Sequence, residues 1–184
     1  MASLLAGKRM RLIPLEKRHL ERRVEFINDE EVQRTLNFDF PTSQAKTEAW
    51  FQKMILSRDR VDFAFENLDD RSIFGFGGLI NIDRILRKAE LYIFIGDKSV
   101  WGKGYGRDGY KLITNYGFTE LGLNKVYLYQ LSFNQKAISA TKALGWNVDG
   151  LLRSDIFSHG EIKDQYILSI LRDEWVNNKI YSEP

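Results

Sequence analysis

The chain has no cysteine, only three prolines and only two histidines. Without thiols there can be no disulfide framework, no thiol nucleophile and no thiolate metal site. His19 and His159 lie far apart in sequence, which gives a histidine metal site or a Ser-His-Asp triad little to build on. No metal is therefore expected. No apolar run approaches the roughly 20 residues that span a bilayer. The first seven residues form a short apolar patch without the long apolar core of a signal peptide. A cytoplasmic protein with no membrane partner is expected. Charge of one sign is also missing: 27 Lys and Arg face 25 Asp and Glu, a net of +2. The lysines are dispersed and form no basic aromatic stripe, so nucleic acid is not an expected partner. With 184 residues, 43% of them hydrophobic, the chain can bury one sizeable core. One domain over 1–184 is expected, with its core at 9–171 and a tail at 172–184. The composition is compatible with a homodimer.

Periodicity sorts the chain into a mixed order. Residues 9–16 alternate as a strand. Residues 19–28 read as a helix with Leu20, Val24 and Ile27 on one face, and 31–36 as a short helical turn. Pro41-Thr42-Ser43 signals a helix start, and that helix runs to about residue 56. Strands follow at 61–66, 73–82 and 88–95, then a helix carrying Tyr110, Ile113, Tyr116 and Leu121. A strand at 125–133 leads to a helix at 134–144 that stops at Gly145. A hairpin of 149–157 and 162–171 turns at Ser158-His159-Gly160, and the tail reads as a short helix. This predicts an α+β fold: a mixed, mostly antiparallel twisted sheet of about seven strands with about four helices.

Between the strand at 88–95 and the following helix lies Trp101-Gly102-Lys103-Gly104-Tyr105-Gly106-Arg107-Asp108. A glycine-rich basic turn at a helix start suits an anion, because free backbone N–H groups and the helix dipole both point at it. Gly104-x-Gly106-x-x-Gly109 matches the dinucleotide fingerprint in letters only: that site wants an acid about 20 residues on, and 125–130 has none. A P-loop is absent. The alternative is a ligand-free turn with solvated cations. Lys98, Lys103, Arg107 and Lys111 gather at this one helix start, however, and Asn134 opens the next helix directly after a strand.

Trp101-Gly102-Lys103-Gly104-Tyr105-Gly106 resembles the acyl-CoA pyrophosphate loop of the GCN5-related N-acetyltransferases, written Gln/Arg-x-x-Gly-x-Gly/Ala, with Trp101 at the Gln/Arg position. Phe26-Ile27-Asn28-Asp29 with Val32, Ala89-Glu90-Leu91, Asn134 through Gly145-Trp146, and Gly160-x-x-x-Asp164 resemble further motifs of one branch, in the same order. That branch holds ribosomal-protein alanine, spermidine and amino-sugar or antibiotic acetyltransferases. The likeness covers about residues 9–171. It implies acetyl-CoA as co-substrate and transfer to a primary amine by direct attack in a ternary complex.

The resemblance further implies that the pantetheine arm pairs with backbone of Phe94 and Ile95. It puts the pyrophosphate on Trp101 to Arg107, with Asn134 reaching the arm. Lys103 and Arg107 would add charge, or stand solvated. Glu90 is the candidate general base, its pKa raised by apolar neighbours. Its other reading is a strand-edge glutamate paired with Lys88 or Arg87. Relatives carry a tyrosine seven residues after the asparagine as general acid, and this chain has Thr141 there. Tyr129, Tyr166, Thr141 or water takes the role, or the thiolate leaves unaided. The aromatic, acidic linker Asn37-Phe38-Asp39-Phe40 is placed as a wall of the amine site. Asp39 and Asp155 are candidates to hold a cationic amine. Trp50, Phe51, Phe63, Phe65, Phe74 and Phe76 are assigned to the core. A small amine is the favoured acceptor, with a protein N-terminus the alternative and a non-catalytic acyl-CoA-binding module the rival of another class.

Overall fold

Strands of this chain alternate their side chains between two helical layers, and the computed structural model describes them through residues 4–36, 38 and 40–182. The strands are β1 (Met10–Pro14), β2 (Val61–Asn67), β3 (Ile73–Asp83), β4 (Lys88–Ile95), β5 (Lys125–Leu131), β6 (Asn147–Ser158) and β7 (Glu161–Leu171). They form one seven-stranded open sheet in the order β1-β2-β3-β4-β5-β7-β6. Every neighbouring pair is antiparallel except β4 and β5. The helices are α1 (Leu20–Asn28), α2 (Glu30–Gln33), α3 (Gln44–Met54), α4 (Tyr105–Thr119), α5 (Gln135–Lys142), α6 (Arg172–Asn177) and α7 (Lys179–Ser182). The four longer ones, α1, α3, α4 and α5, match helices read from the sequence, and α2 overlaps the short helical turn read at 31–36. The tail forms two short helices rather than one.

Two apolar clusters lie on opposite faces of the sheet. On one, α4 buries Leu112, Ile113 and Phe118 against Phe65, Phe74, Leu79 and Leu91. On the other, α1 to α3 bury Leu20, Phe26, Val32 and Phe51 against Ala64, Phe76 and Phe94. The period-two geometry of β4 divides it accordingly: Ala89 and Leu91 join the first cluster, Phe94 the second. Local caps fix the helix starts on the second face. Asp29 accepts from the N–H groups of Glu31 and Val32 at 3.0 and 3.1 Å, and Ser43 from Lys46 at 3.1 Å. Within α4, Gly109 and Gly117 allow close approach: a Cβ there would stand 3.1 Å from Phe65 and from Leu79, respectively. The two glycines thus bring the helix down onto the sheet, and with it the loop that precedes the helix.

Contact between α1 and the end of β4 is equally tight. A Cβ at Gly96 would lie 1.9 Å from Cγ of Phe26, a contact no rotamer can keep. Gly96→Ala is expected to destabilise the protein by about 1–3 kcal/mol through overpacking. Urea denaturation measures this, and an unchanged midpoint would refute the packing of α1 on β4.

Candidate active site

Strands β4 and β5 start as a parallel pair and then part. Only Lys88, Ala89 and Glu90 are in register with Lys125, Val126 and Tyr127. Beyond Glu90, β4 keeps its antiparallel ladder with β3, and β5 keeps its own with β7 as far as Leu131. The facing edges of both strands are left without each other, and backbone donors and acceptors at such an edge need a partner. A cavity of about 1140 Å³ opens there, lined by Glu90 to Ile95 on one side and Leu128 to Leu131 on the other.

The glycine-rich turn closes one end of this cavity. Gly102 and Gly104 take φ of 72° and 87°, the left-handed region that favours glycine. Gly104 is the N-cap of α4 and offers no side-chain cap for the first-turn N–H groups, which have no intrahelical partner. Gly102, Gly104, Tyr105, Gly106 and Arg107 line the cavity. A Cβ at Gly106 would meet only Ile95 and Ile93, at 3.7 and 3.9 Å. Packing therefore does not demand glycine at 106, which borders the open cavity. The turn is held from behind by Arg9, which donates to Asp108 at 2.5 Å and to the Lys103 carbonyl at 2.6 Å. Its guanidinium lies 5.0 Å from the Tyr105 ring centroid. Sequence periodicity gave no sign of this clamp.

Asn134 does what its position before a helix suggests: its side chain accepts from the N–H of Ala137 at 3.2 Å, and the residue lines the cavity. Trp101 also lines the cavity, but its indole donates to the Ile95 carbonyl at 2.9 Å. Its side chain thus ties the turn to β4, and that carbonyl, expected for the arm, already has one partner. Lys103 is exposed and outside the lining, whereas Arg107 is exposed at its rim. Lys98 turns away altogether and donates to Asp29 at 2.7 Å.

Glu90 sits at the fork where the strands part. Its partner is Asn81, whose Nδ2 donates to Oε2 at 2.9 Å, not Lys88 or Arg87. Arg87 instead donates to the Gly122 carbonyl. The register of β3 on β4 slips between Ile80 and Asp83, and Asn81 takes a φ of 51° there, a conformation asparagine tolerates. Burial raises the Glu90 pKa above the ordinary carboxylate value, and the Asn81 bond opposes part of that rise. Tyr129 faces the same fork, and burial followed by the Glu90 charge raises its pKa.

Thr141 is corrected. It is fully buried, its hydroxyl bonds to the Ile138 carbonyl at 3.0 Å and to Gln130 at 3.3 Å, and it does not line the cavity. It belongs to the core of α5 and cannot serve as the acid. Asp155 is exposed on β6 and also outside the lining, although its charge is felt at Tyr129. Asn37 and Asp39 lie outside the described residues. Phe38 does line the cavity, with Phe94 at 5.5 Å between centroids. Trp50, assigned to the core, lines the cavity as well, because α3 leans over its far end.

That far end holds charges the sequence reading missed. Arg60 donates twice to Asp62, at 2.7 Å each, and the Tyr92 hydroxyl donates to Asp62. Arg23 is buried beside them. The signal for Arg23 was its spacing. It falls three residues after Leu20 and four before Ile27, on the buried stripe of α1, where Val24 was placed; Val24 is half-exposed.

Residues 9–147 match the family model of the acetyltransferase (GNAT) domain. The spermidine N(1)-acetyltransferase of Escherichia coli K12 is 33% identical over 102 residues, 55% of this chain and 54% of that one. The chain thus spans about half the length of that relative. The putative ribosomal N-acetyltransferase YdaF of Bacillus subtilis is 30% identical over 173 residues, 90% of this chain and 92% of the relative. Among solved structures, the spermidine N-acetyltransferase of Vibrio cholerae in complex with CoA and spermine superposes with a TM-score of 0.85 at 28% identity, covering 91% of this chain and 98% of that one. The chain belongs to the GNAT acetyltransferase family.

The position of Glu90 has a consequence for stability. Its folded pKa lies above the ordinary 4.5, so the folded state disfavours the charged form. Stability present below that ordinary value is lost as pH rises through the folded pKa. Glu90→Gln is therefore expected to raise Tm relative to wild type at pH 8, with the gain vanishing at pH 4. Thermal unfolding at both pH values checks this. An equal shift at the two would mean that Glu90 is not desolvated.

Proposed function

We propose that the protein is an acetyl-CoA-dependent N-acetyltransferase acting on a small primary amine. One observation carries this: a single cavity joins the uncapped glycine-rich start of α4, the parted β4 and β5 edges, and Glu90. The residues suit coenzyme A. The N–H groups of Gly104 to Arg107 would hold the pyrophosphate at the positive end of the helix dipole. The open β4 edge at Phe94 and Ile95 would take the arm as an added strand. Bound there, acetyl-CoA supplies the activated acetyl group.

Glu90 then takes the proton of the amine, directly or through one water, so that the nitrogen lone pair is free to attack. A carboxylate with a raised pKa is suited to this near neutral pH. Tyr129, kept protonated by burial and by Glu90, is the group able to give a proton to the departing sulfur. Phe38 and Trp50 cover the far end, which favours a small molecule over a polypeptide. A protein N-terminal amine is the second reading, supported by the ribosomal-type relative that matches over 90% of the chain.

Glu90→Gln is expected to lower kcat/KM for the amine about 10²–10³-fold, the usual worth of a general base. Wild-type activity should climb with pH through the Glu90 pKa, and the variant should lose that limb. Turnover indifferent to the substitution would remove Glu90 from the mechanism. Coenzyme A binding with no acetylation of any amine or protein would favour a non-catalytic module.

Gly106→Ala separates the donor site from packing. A helical alanine should raise stability by up to about 1 kcal/mol. Affinity for coenzyme A should nevertheless fall about tenfold as the Cβ enters the cradle. Calorimetry beside thermal unfolding tests this, and unchanged affinity would mean that the phosphates lie elsewhere.

A further inference from the structure

Arg23 is a charged group of the cavity wall that the proposed reaction does not use. Its residue is only 5% exposed, and burial drives its pKa down. The rings of Phe38, Trp50, Phe76 and Phe94 surround the guanidinium, with centroids 4.4 to 5.6 Å from Cζ. Its Nε and Nη1 are buried and have no hydrogen-bond partner among the described residues. Asp62 accepts instead from Nε and Nη2 of Arg60 and from the Tyr92 hydroxyl. Among the described residues, the far end of the cavity thus sets two guanidiniums against one carboxylate.

A buried lone cation opposes folding, and an apolar residue of similar volume such as methionine would pack there without that cost. Cation–π contacts recover part of the energy. Ring faces, however, do not satisfy N–H donors as an oxygen acceptor would, and guanidinium donors form a fixed fork. That fork matches carboxylate and phosphate oxygens. Arg23 lines the same cavity as Glu90.

We infer that Arg23 binds an anionic group on the acceptor, so that the amine delivered to Glu90 also carries a carboxylate or a phosphate. The acceptor is then dipolar, with its amine at Glu90 and its anion at Arg23. A polyamine, cationic along its length, is the wrong complement. The assignment rests on the acetyltransferase reading, and the two fail differently.

The test is calorimetric titration of the CoA-saturated protein with matched amines. Ethanolamine is compared with phosphoethanolamine, glucosamine with glucosamine 6-phosphate, and β-alaninamide with β-alanine; spermidine serves as the cationic control. The anionic member of at least one pair is expected to bind about tenfold tighter or more, as one charge-assisted hydrogen bond requires. The phosphate and carboxylate pairs identify which anion is read. In Arg23→Met the difference should disappear, with coenzyme A affinity unchanged and Tm equal or higher. Equal affinities in every pair, including no measurable binding of either member, overturn the proposal. So does tighter binding of spermidine, or a preference that survives in Arg23→Met. A fall in coenzyme A affinity in the variant would assign Arg23 to the donor instead and also overturn it. The wild-type comparison stands even if the variant does not fold. Failure of wild-type protein to bind coenzyme A at all would strike down the donor site itself.

Discussion

The parting of β4 from β5 is the constraint from which the rest follows. A parallel pair cannot be joined by a tight turn and needs a crossover, here supplied by α4. Each strand also has a longer antiparallel commitment on its other side, β4 to β3 and β5 to β7. Those ladders hold the two strands to different courses, and their shared pairing ends after Glu90. The opening is thus enforced by hydrogen bonds elsewhere in the sheet, and it costs only the few ladder bonds the pair forgoes.

Everything chemical is arranged around that opening. The crossover helix must start where β4 ends, which brings its uncapped N-terminus to the wide end of the fork. Arg9, just ahead of β1, and Trp101 tie the turn to the sheet from opposite sides, so the free N–H groups are presented on a fixed frame. Glu90 occupies the narrow end, where the last paired residues exclude water enough to raise its pKa. The β3 irregularity at Asn81 then gives the carboxylate its single orienting bond. Both ends of the proposed reaction are set by the sheet rather than by mobile loops.

The second face forms the far end of the cavity. Helices α1 to α3 cover the sheet with an apolar cluster, but that cluster is interrupted by Arg23, Arg60, Asp62 and Tyr92. One cation and one anion of this group neutralise each other through a two-pronged ion pair. Two buried donors of the other cation have no partner among the described residues, and an anion on the acceptor is proposed to meet them. Similarity to spermidine acetyltransferases accordingly speaks for the fold and the donor half of the site.

Local signals in the chain already determined the strands, the longer helices, the glycine-rich turn and the Asn134 cap. These depend on period, on backbone freedom and on side-chain to backbone bonds spanning a few residues. The ends of the elements moved by only a few residues, as at α3 and β6. Position in a motif was a weaker guide: Thr141 stands where a tyrosine would project into the cleft, yet its short side chain stays in the core and bonds its own helix. What only the tertiary structure decided were encounters across long stretches of chain. Arg9 meets Asp108, Asn81 turns to Glu90, and Arg23 meets rings from four separate segments while its Nε and Nη1 find no acceptor among the described residues. Burial and partnership of a charge depend on which faces the packed layers enclose, and no spacing along the chain encodes that.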